Sequence, residues 1–475
     1  MSETYINPLE TRYSSKQMLG FFGAKNRTVL WRKLWLALAQ SQKELGLDIS
    51  DKQLKQMQDN IENINFEAIA KKEKEVRHDV MAHVHGFGAV APLSAPIIHL
   101  GATSCFVTDN ADLLIYKSAL ELVLDKLLLL LSKLKNFALK HKNLPCLGFT
   151  HFQAAQLTTV GKRATLWMQD LTMDYEVIKG LLDNYKLRGV KGATGTQGSF
   201  MSLFGGNEEK VKKLEKLVCK KMDVEKFFDV TGQTYPRKFD YLILSALSGL
   251  AQSAHKFGAD MRLLMHKGEM DEPFEKSQIG SSAMAYKRNP MRSERICSLA
   301  RFIMSLPINA AETAANQWFE RTLDDSANRR IVLPQSFLAV DAILNLYINI
   351  ADGMSINEKV IEKDILEQLP FMVTEDILME CVKLGGDRQE LHERIRVHSM
   401  ESIKAVKDGK NNDLIARIKG DEVFIKIKDN LDNFISPKNY IGRAAQQTEE
   451  FIKNCIDSLL KNAKDLEKYQ EEIKV

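Results

Sequence analysis

The sequence predicts an all-α protein built on a bundle of long helices, and three observations support that prediction. Leu, Ala, Lys and Glu are abundant and only 11 prolines interrupt 475 residues, a composition that favours helix. The stretches 109–142, 153–188, 236–268, 291–323 and 327–352 contain no helix-ending proline apart from Pro307 and Pro334, and their apolar residues run around much of the circumference. No alternation of strand and helix patterns appears, which argues against a doubly wound or barrel fold. Helices so long and so apolar must be buried against other helices; together they imply an elongated bundle. Their apolar stripes are wider than a single bundle core requires, so copies of the chain are expected to cover the remainder in a homo-oligomer.

The elements follow in order. Trp31, Leu34, Trp35, Leu38 and Leu45 fall at helical spacing and predict an amphipathic helix. Val80, Val84 and Phe87 predict another after the basic run Lys71 to Lys74, and Pro92 and Pro96 end it. Residues 1–105 are read as an N-terminal helical domain and 106–356 as the central bundle. Residues 357–475, where the helices shorten and Gly385-Gly386 and Pro437 punctuate the chain, are read as a small C-terminal helical domain. Within the centre, Gly189, Gly192, Gly195 and Gly198 recur every third residue. The run is too short for a collagen repeat and does not match a phosphate-cradling G-x-x-x-x-G-K-S/T loop. It is either a mobile interhelical connection or a place where backbone approaches a ligand. Residues 271–290, rich in Ser, Gly and Lys, form a second loop.

Composition narrows the function. Apolar residues make up 44% and charged residues 27% of the chain, as in globular proteins. The net charge of +4 is weak for this length. It speaks against a nucleic-acid partner and leaves either an ordinary solvated surface or a local basic site for an anionic substrate. The six cysteines are scattered, with none at metal-ligand spacing, which points to reduced thiols and a cytoplasmic location. The N-terminus MSETYINPLETRYSS has no secretory pattern. The Leu127–Leu131 run, bracketed by Lys126 and Lys133, is too short to span a membrane. His78, His83 and His85 are read as one functional histidine with bystanders, so neither a metal nor a cofactor is expected.

Residues 280–290 read Gly280-Ser281-Ser282-Ala283-Met284-Ala285-Tyr286-Lys287-Arg288-Asn289-Pro290. Hydroxyls after a glycine, followed by Lys, Arg and Asn, can wrap an anion or simply form a polar linker. The segment is similar to the signature loop G-S-S-x-M-P-x-K-x-N-P of the fumarase, aspartase and argininosuccinate lyase superfamily, departing only where Ala285 replaces proline. Its extension Met291-Arg292-Ser293-Glu294-Arg295 resembles the animal-type adenylosuccinate lyases. So do Arg77–His83 (RHDVMAH), His99–Ser104 (HLGATS), Gly148–Gln153 (GFTHFQ), Thr231–Tyr235 (TGQTY) and Trp318–Ser326 (WFERTLDDS). The resemblance covers roughly residues 5 to 460, with the motifs in family order.

This resemblance implies three mostly helical domains, a twenty-helix core in a homotetramer, and active sites shared between subunits. It implies a lyase of purine nucleotide biosynthesis that acts on small nucleotide substrates. The reaction is anti β-elimination of fumarate from adenylosuccinate, giving AMP, and from succinylaminoimidazole carboxamide ribotide, giving aminoimidazole carboxamide ribotide. His151 matches the family's general acid, and an imidazole of unperturbed pKa about 6.5 suits that role. Ser281 matches the general base. A serine alkoxide needs stabilisation, which Lys287 and loop N–H groups could supply, and Ser282 is its rival. Arg12, Tyr13, Arg77, Arg295, Arg321 and Arg330 match contacts to phosphate and carboxylates, where the guanidinium fork donates in pairs. His78 and Asp79 match residues that orient the nucleotide, and Thr103 and Ser104 hold a carboxylate; Gln233, Asn289 and Ser326 are further polar contacts. Two alternatives stand beside this reading. One is an argininosuccinate-type lyase, which the motifs at 99–104 and 318–326 disfavour. The other is an inactive scaffold of the same fold, which the presence of His151, Ser281 and Lys287 disfavours.

Overall fold

The computed structural model describes residues 4–275 and 278–473. Near the N-terminus lie α1 (Ala24–Glu44), α2 (Phe66–Val76) and α3 (Asp79–Val90). Trp31, Leu34, Trp35 and Leu38 of α1 face Val80 and Phe87 of α3 in a core of their own, as the helical spacing predicts. The long helices are α4 (Ser104–Lys140), α5 (Val160–Asp183), α6 (Lys238–Lys267), α7 (Met291–Met304), α8 (Pro307–Ala315) and α9 (Asp325–Gly353), and beyond them short helices complete the chain. A second apolar core runs the length of α4, α6 and α9 and continues under the C-terminal helices. Helix α9 is long and apolar enough to cross a membrane, but 83% of its apolar window is buried inside the protein.

Three sets of ties hold α4, α6 and α9 parallel and in register. At their N-terminal ends Arg237 bridges Asp109 of α4 at 3.2 Å and Asp325 of α9 at 2.7 Å. Midway, buried Lys126 of α4 meets Asp341 of α9 at 2.5 Å and donates to Asn345 at 2.7 Å. At the far end Lys133 reaches Asp352 at 3.1 Å. There too the strand β3 (Met270–Asp271), following α6, pairs antiparallel with β4 (Ser355–Ile356), following α9. We name these the cleft end, the middle and the far end of the rod.

Two sequence expectations need correction. Residues 153–159 are not the start of a helix: they form a strand paired antiparallel with residues 145–150, in a hairpin that precedes α5. The run 291–323 is broken before Pro307, which takes the first position of α8, where its missing N–H costs no helical bond. Pro334, by contrast, is accommodated inside α9. The first part of the glycine-rich run is packed into the protein, while residues 193, 194, 196, 198 and 199 are exposed. Arg188, Val190 and Lys191 are buried. Gly189 (φ +78°) and Gly195 (φ +82°) adopt left-handed backbone, and a Cβ there would lie 2.2 Å from Glu215 Oε1 and 1.9 Å from the Thr231 carbonyl. Glycine is needed so that two stretches of chain can touch.

Two predictions follow from this packing. Lys126→Met leaves Asp341 buried without its counter-charge, so urea unfolding should show a loss of about 3–5 kcal/mol. Adding Asp341→Asn should recover part of it, because an amide oxygen still accepts the Ser15 N–H that Asp341 now holds at 2.6 Å. His99 accepts the Trp35 Nε1–H at 2.9 Å, and burial pushes its pKa down to about 4. The unfolded chain therefore binds a proton that the folded chain refuses between pH 6.5 and 4, and stability falls as pH drops through that window. His99→Asn keeps an acceptor and tolerates the left-handed φ of 68°, so its unfolding midpoint should vary less between pH 7 and pH 5 than that of the wild type.

Candidate active site

At the cleft end an open cavity of about 600 Å³ is lined by Arg77, His78, Asp79, Ser104, Arg321, Ser326 and Arg330, among others. Local structure aims each of them. Arg77 ends α2 in a left-handed conformation (φ 53°), and His78 caps α3 by accepting the Met81 N–H on Nδ1 at 3.3 Å. That cap leaves the proton of a neutral ring on Nε2, which lies 3.4 Å from Ser104 Oγ. Arg330 meets Asp79 at 3.4 Å. Thr103 and Ser104 begin α4, and Ser326 lies in the first turn of α9. Two long helices thus present N-terminal N–H groups here, a favourable setting for anions.

Beneath the cavity lies a buried polar network. Arg321 Nη1 donates to Gln233 Oε1 at 2.6 Å and to Cys105 Sγ at 2.9 Å, and Gln233 Nε2 donates to Thr103 Oγ1 at 3.3 Å. Arg188 holds the Gln233 carbonyl at 2.6 Å. Arg329 donates to Asp240 at 2.6 Å, and Asp109 accepts both Arg237 and the Tyr235 backbone N–H. The surrounding guanidiniums hold the Asp109 carboxyl below the usual range despite full burial. With its Nη1 engaged, Arg321 keeps a buried Nε–H with no acceptor among the described residues, a donor available to a bound oxyanion.

The remaining predicted residues lie elsewhere. Tyr13 and Arg295 pack together near the middle, the guanidinium carbon 5.5 Å from the ring centre, with Arg12 alongside. The neighbouring Ser14 and Ser15 bond Leu338 and Asp341 of α9, about 24 Å along that helix from its start. Burial lowers the pKa of Arg295.

His151 stands at the tip of the hairpin formed by β1 (Pro145–Thr150) and β2 (Gln153–Thr159), exposed. The pairing of Thr150 with Gln153 leaves a two-residue turn in which His151 (φ 53°) and Phe152 (φ 57°) both have positive φ. Such turns normally use Asn and Gly; non-glycine residues there cost of order 1–3 kcal/mol each, strain that tends to be kept at functional positions. The loop bearing Ser281 joins β3 to α7. Ser281 Oγ accepts the N–H groups of Met284 at 3.1 Å and Ala283 at 3.3 Å, while Ser282 forms no such bond among the described residues. Asn289 Nδ2 donates to the Gly280 carbonyl at 2.9 Å, so this residue closes the loop. Lys287 is exposed and ends a turn from Met284 whose second position is Ala285, where proline would also fit.

One chain therefore gathers Arg77, His78, Asp79, Thr103, Ser104, Gln233, Arg321, Ser326 and Arg330, but not His151 or Ser281. Two helices measure the gap. The hairpin springs from the C-terminal end of α4, where Val160 and Gly161 bond Leu144 and His141, and Lys267 at the end of α6 lies 5.3 Å from the Phe149 ring centre. The cleft lies at the other end of both helices, about 45–55 Å away at 1.5 Å per residue. Sequence reasoning missed Arg188, Asp109, Arg237, Asp240 and Arg329, which set the cleft floor. Their signal was the neighbourhood of the motifs at 99–104, 231–235 and 318–326 and, for Arg188, of the glycine run that follows it.

Comparison with known proteins agrees with this architecture. Residues 12–305 match the family described as Lyase, and residues 370–451 the family described as Adenylosuccinate lyase C-terminus. The adenylosuccinate lyase of Saccharomyces cerevisiae is 52% identical over 96% of each chain, and that of Schistosoma mansoni 48% identical over 98% of this chain and 97% of its own. Among solved structures, the 3-carboxy-cis,cis-muconate lactonizing enzyme of Pseudomonas putida has the same fold, with a TM-score of 0.81 at 22% identity over 96% of this chain and 99% of that one. With such identity over nearly the full length of its relatives, this chain belongs to the adenylosuccinate lyase family.

Proposed function

We propose that this chain is a fumarate-releasing lyase of purine nucleotide biosynthesis, acting on adenylosuccinate and on succinylaminoimidazole carboxamide ribotide. The observation that carries the activity is the 48–52% identity with adenylosuccinate lyases over nearly the whole chain. Both substrates share a ribose phosphate and a succinyl group on nitrogen, so one set of anion contacts serves both. The arginines of the cleft and the helix N-termini of α4 and α9 hold the carboxylates and phosphate. Ser281 removes the proton beside a carboxylate, the carbanion is delocalised into that carboxylate, the C–N bond breaks, and His151 protonates the departing nitrogen. The paired N–H groups at Ser281 Oγ support its choice over Ser282, because they stabilise the alkoxide that a serine base requires.

The distance between cleft and hairpin supports a site assembled from several copies. An antiparallel pair of rods brings the far end of one beside the cleft end of the other, and a homotetramer built from such pairs offers each cleft a His151 and a Ser281 loop from its neighbours. Cytoplasmic location and dependence on no cofactor belong to the same reading.

His151→Ala and Ser281→Ala should each reduce kcat on both substrates by at least about 100-fold, the usual loss for an acid–base group, with substrate affinity retained. Ser282→Ala should stay within a few-fold of wild type. The assay is absorbance change on fumarate release, with affinity measured by calorimetry. A Ser281→Ala variant of normal activity beside an inactive Ser282→Ala variant would reverse the assignment of the base.

A further inference from the structure

We propose a second ligand site, for a small organic monocarboxylate with a planar apolar body, in the cavity between the start of α1 and the helices α2 and α3. The cavity measures about 320 Å³ and lies behind the Asp79–Arg330 pair, which forms part of its wall. Arg27, Trp31, Phe66, His83 and Tyr116 line it. Three buried polar atoms of this lining, Arg27 Nε, Trp31 Nε1 and His83 Nδ1, have no hydrogen-bond partner among the described residues. Trp31 is only 4% exposed. Buried N–H groups without acceptors are unfavourable and rare, and the Arg27 and Trp31 N–H groups on one cavity, beside a His83 nitrogen whose role depends on its tautomer, point to a ligand that brings oxygen acceptors.

Charge sets the ligand class. Asp79 is paired with Arg330 at 3.4 Å and Asp112 with Arg329 at 3.5 Å, while Glu73 stands exposed at the rim. Arg27 is the lining guanidinium with no carboxylate within 4 Å among the described residues, with Asp112 its more distant electrostatic partner. The His83 ring, T-shaped against Trp31 at 4.9 Å, is neutral at physiological pH because burial pushes its pKa down to about 4. Arg27, the guanidinium outside these ion pairs, has a fork that can hold both oxygens of one carboxylate. A phosphate would bring surplus negative charge beside Asp79, Asp112 and Glu73. The rings of Trp31, Phe66 and Tyr116 suit an apolar, planar body.

The test is calorimetric titration of the full-length protein with benzoate, with inorganic phosphate as the comparison anion. Saturable benzoate binding is expected, weakened at least about tenfold in Arg27→Gln and several-fold in Trp31→Phe, which keeps the apolar contact and removes the N–H. His151→Ala and Ser281→Ala should titrate like wild type. Since this readout is binding alone, its failure would leave the assigned reaction untouched. Absence of saturable binding, full affinity in both Arg27→Gln and Trp31→Phe, phosphate binding tighter than benzoate, or loss of benzoate in Arg321→Ala with retention in Arg27→Gln would each overturn the proposal. Should Arg27→Gln not fold, judged by circular dichroism, the Trp31→Phe comparison decides.

Discussion

An α-helix rises 1.5 Å per residue, and that fixed rise governs how this protein can work. Helices α4, α6 and α9 run parallel and are tied at both ends and in the middle by Arg237, Lys126 and Lys133. The rod so formed does not shorten, because each tie fixes the register of the next. Groups placed at its two ends stay about 45 Å apart or more whatever the side chains do. Arg321 and His78 lie at one end and His151 at the other, so the geometry of a single chain favours a site completed by other copies. The broad apolar faces anticipated from the sequence agree with that reading: Leu166, Met173 and Val177 of α5 and Leu242 and Leu263 of α6 remain exposed in the isolated chain.

The two ends differ in construction. The cleft floor is a network of buried guanidiniums and carboxylates in which Asp109 alone receives Arg237 and the Tyr235 N–H. Removing either partner of such a pair leaves a charge in low dielectric, so the network specifies one arrangement of Gln233 and Arg321. At the far end the candidate proton-transfer groups sit on exposed elements, His151 on a strained two-residue turn and Ser281 on a loop closed by Asn289. A buried network of ion pairs at one end thus contrasts with candidate proton-transfer groups carried on surface elements at the other.

The fold class was legible because burial leaves a periodic trace: Trp31, Leu34, Trp35 and Leu38 appear at helical spacing and form a core. The hairpin was not. Gln153-Ala154-Ala155-Gln156-Leu157 are residues that favour helix, and only pairing with Pro145–Thr150 makes them a strand, a long-range effect that local preference does not encode. The close packing of the glycine run was not legible for a similar reason, since the approaches of Gly189 to Glu215 and of Gly195 to Thr231 join distant segments. The cleft residues were legible through motif resemblance. The charges beneath them were not, because Asp109, Arg237 and Arg329 read as ordinary helix-surface residues until the tertiary structure buries them together.

Subunit mixing tests most directly whether the cleft and the hairpin of one chain serve different sites. Arg321→Ala and His151→Ala proteins, each nearly inactive alone, would be combined, allowed to exchange subunits, and assayed, with mixed oligomers verified by native mass spectrometry. Random exchange leaves about a quarter of the sites with both residues intact if the two come from different chains, so activity should rise to about a quarter of wild type. Mixed oligomers whose activity stays at the level of the parents would contradict the account, because a site drawn from one chain has no intact pair to recover.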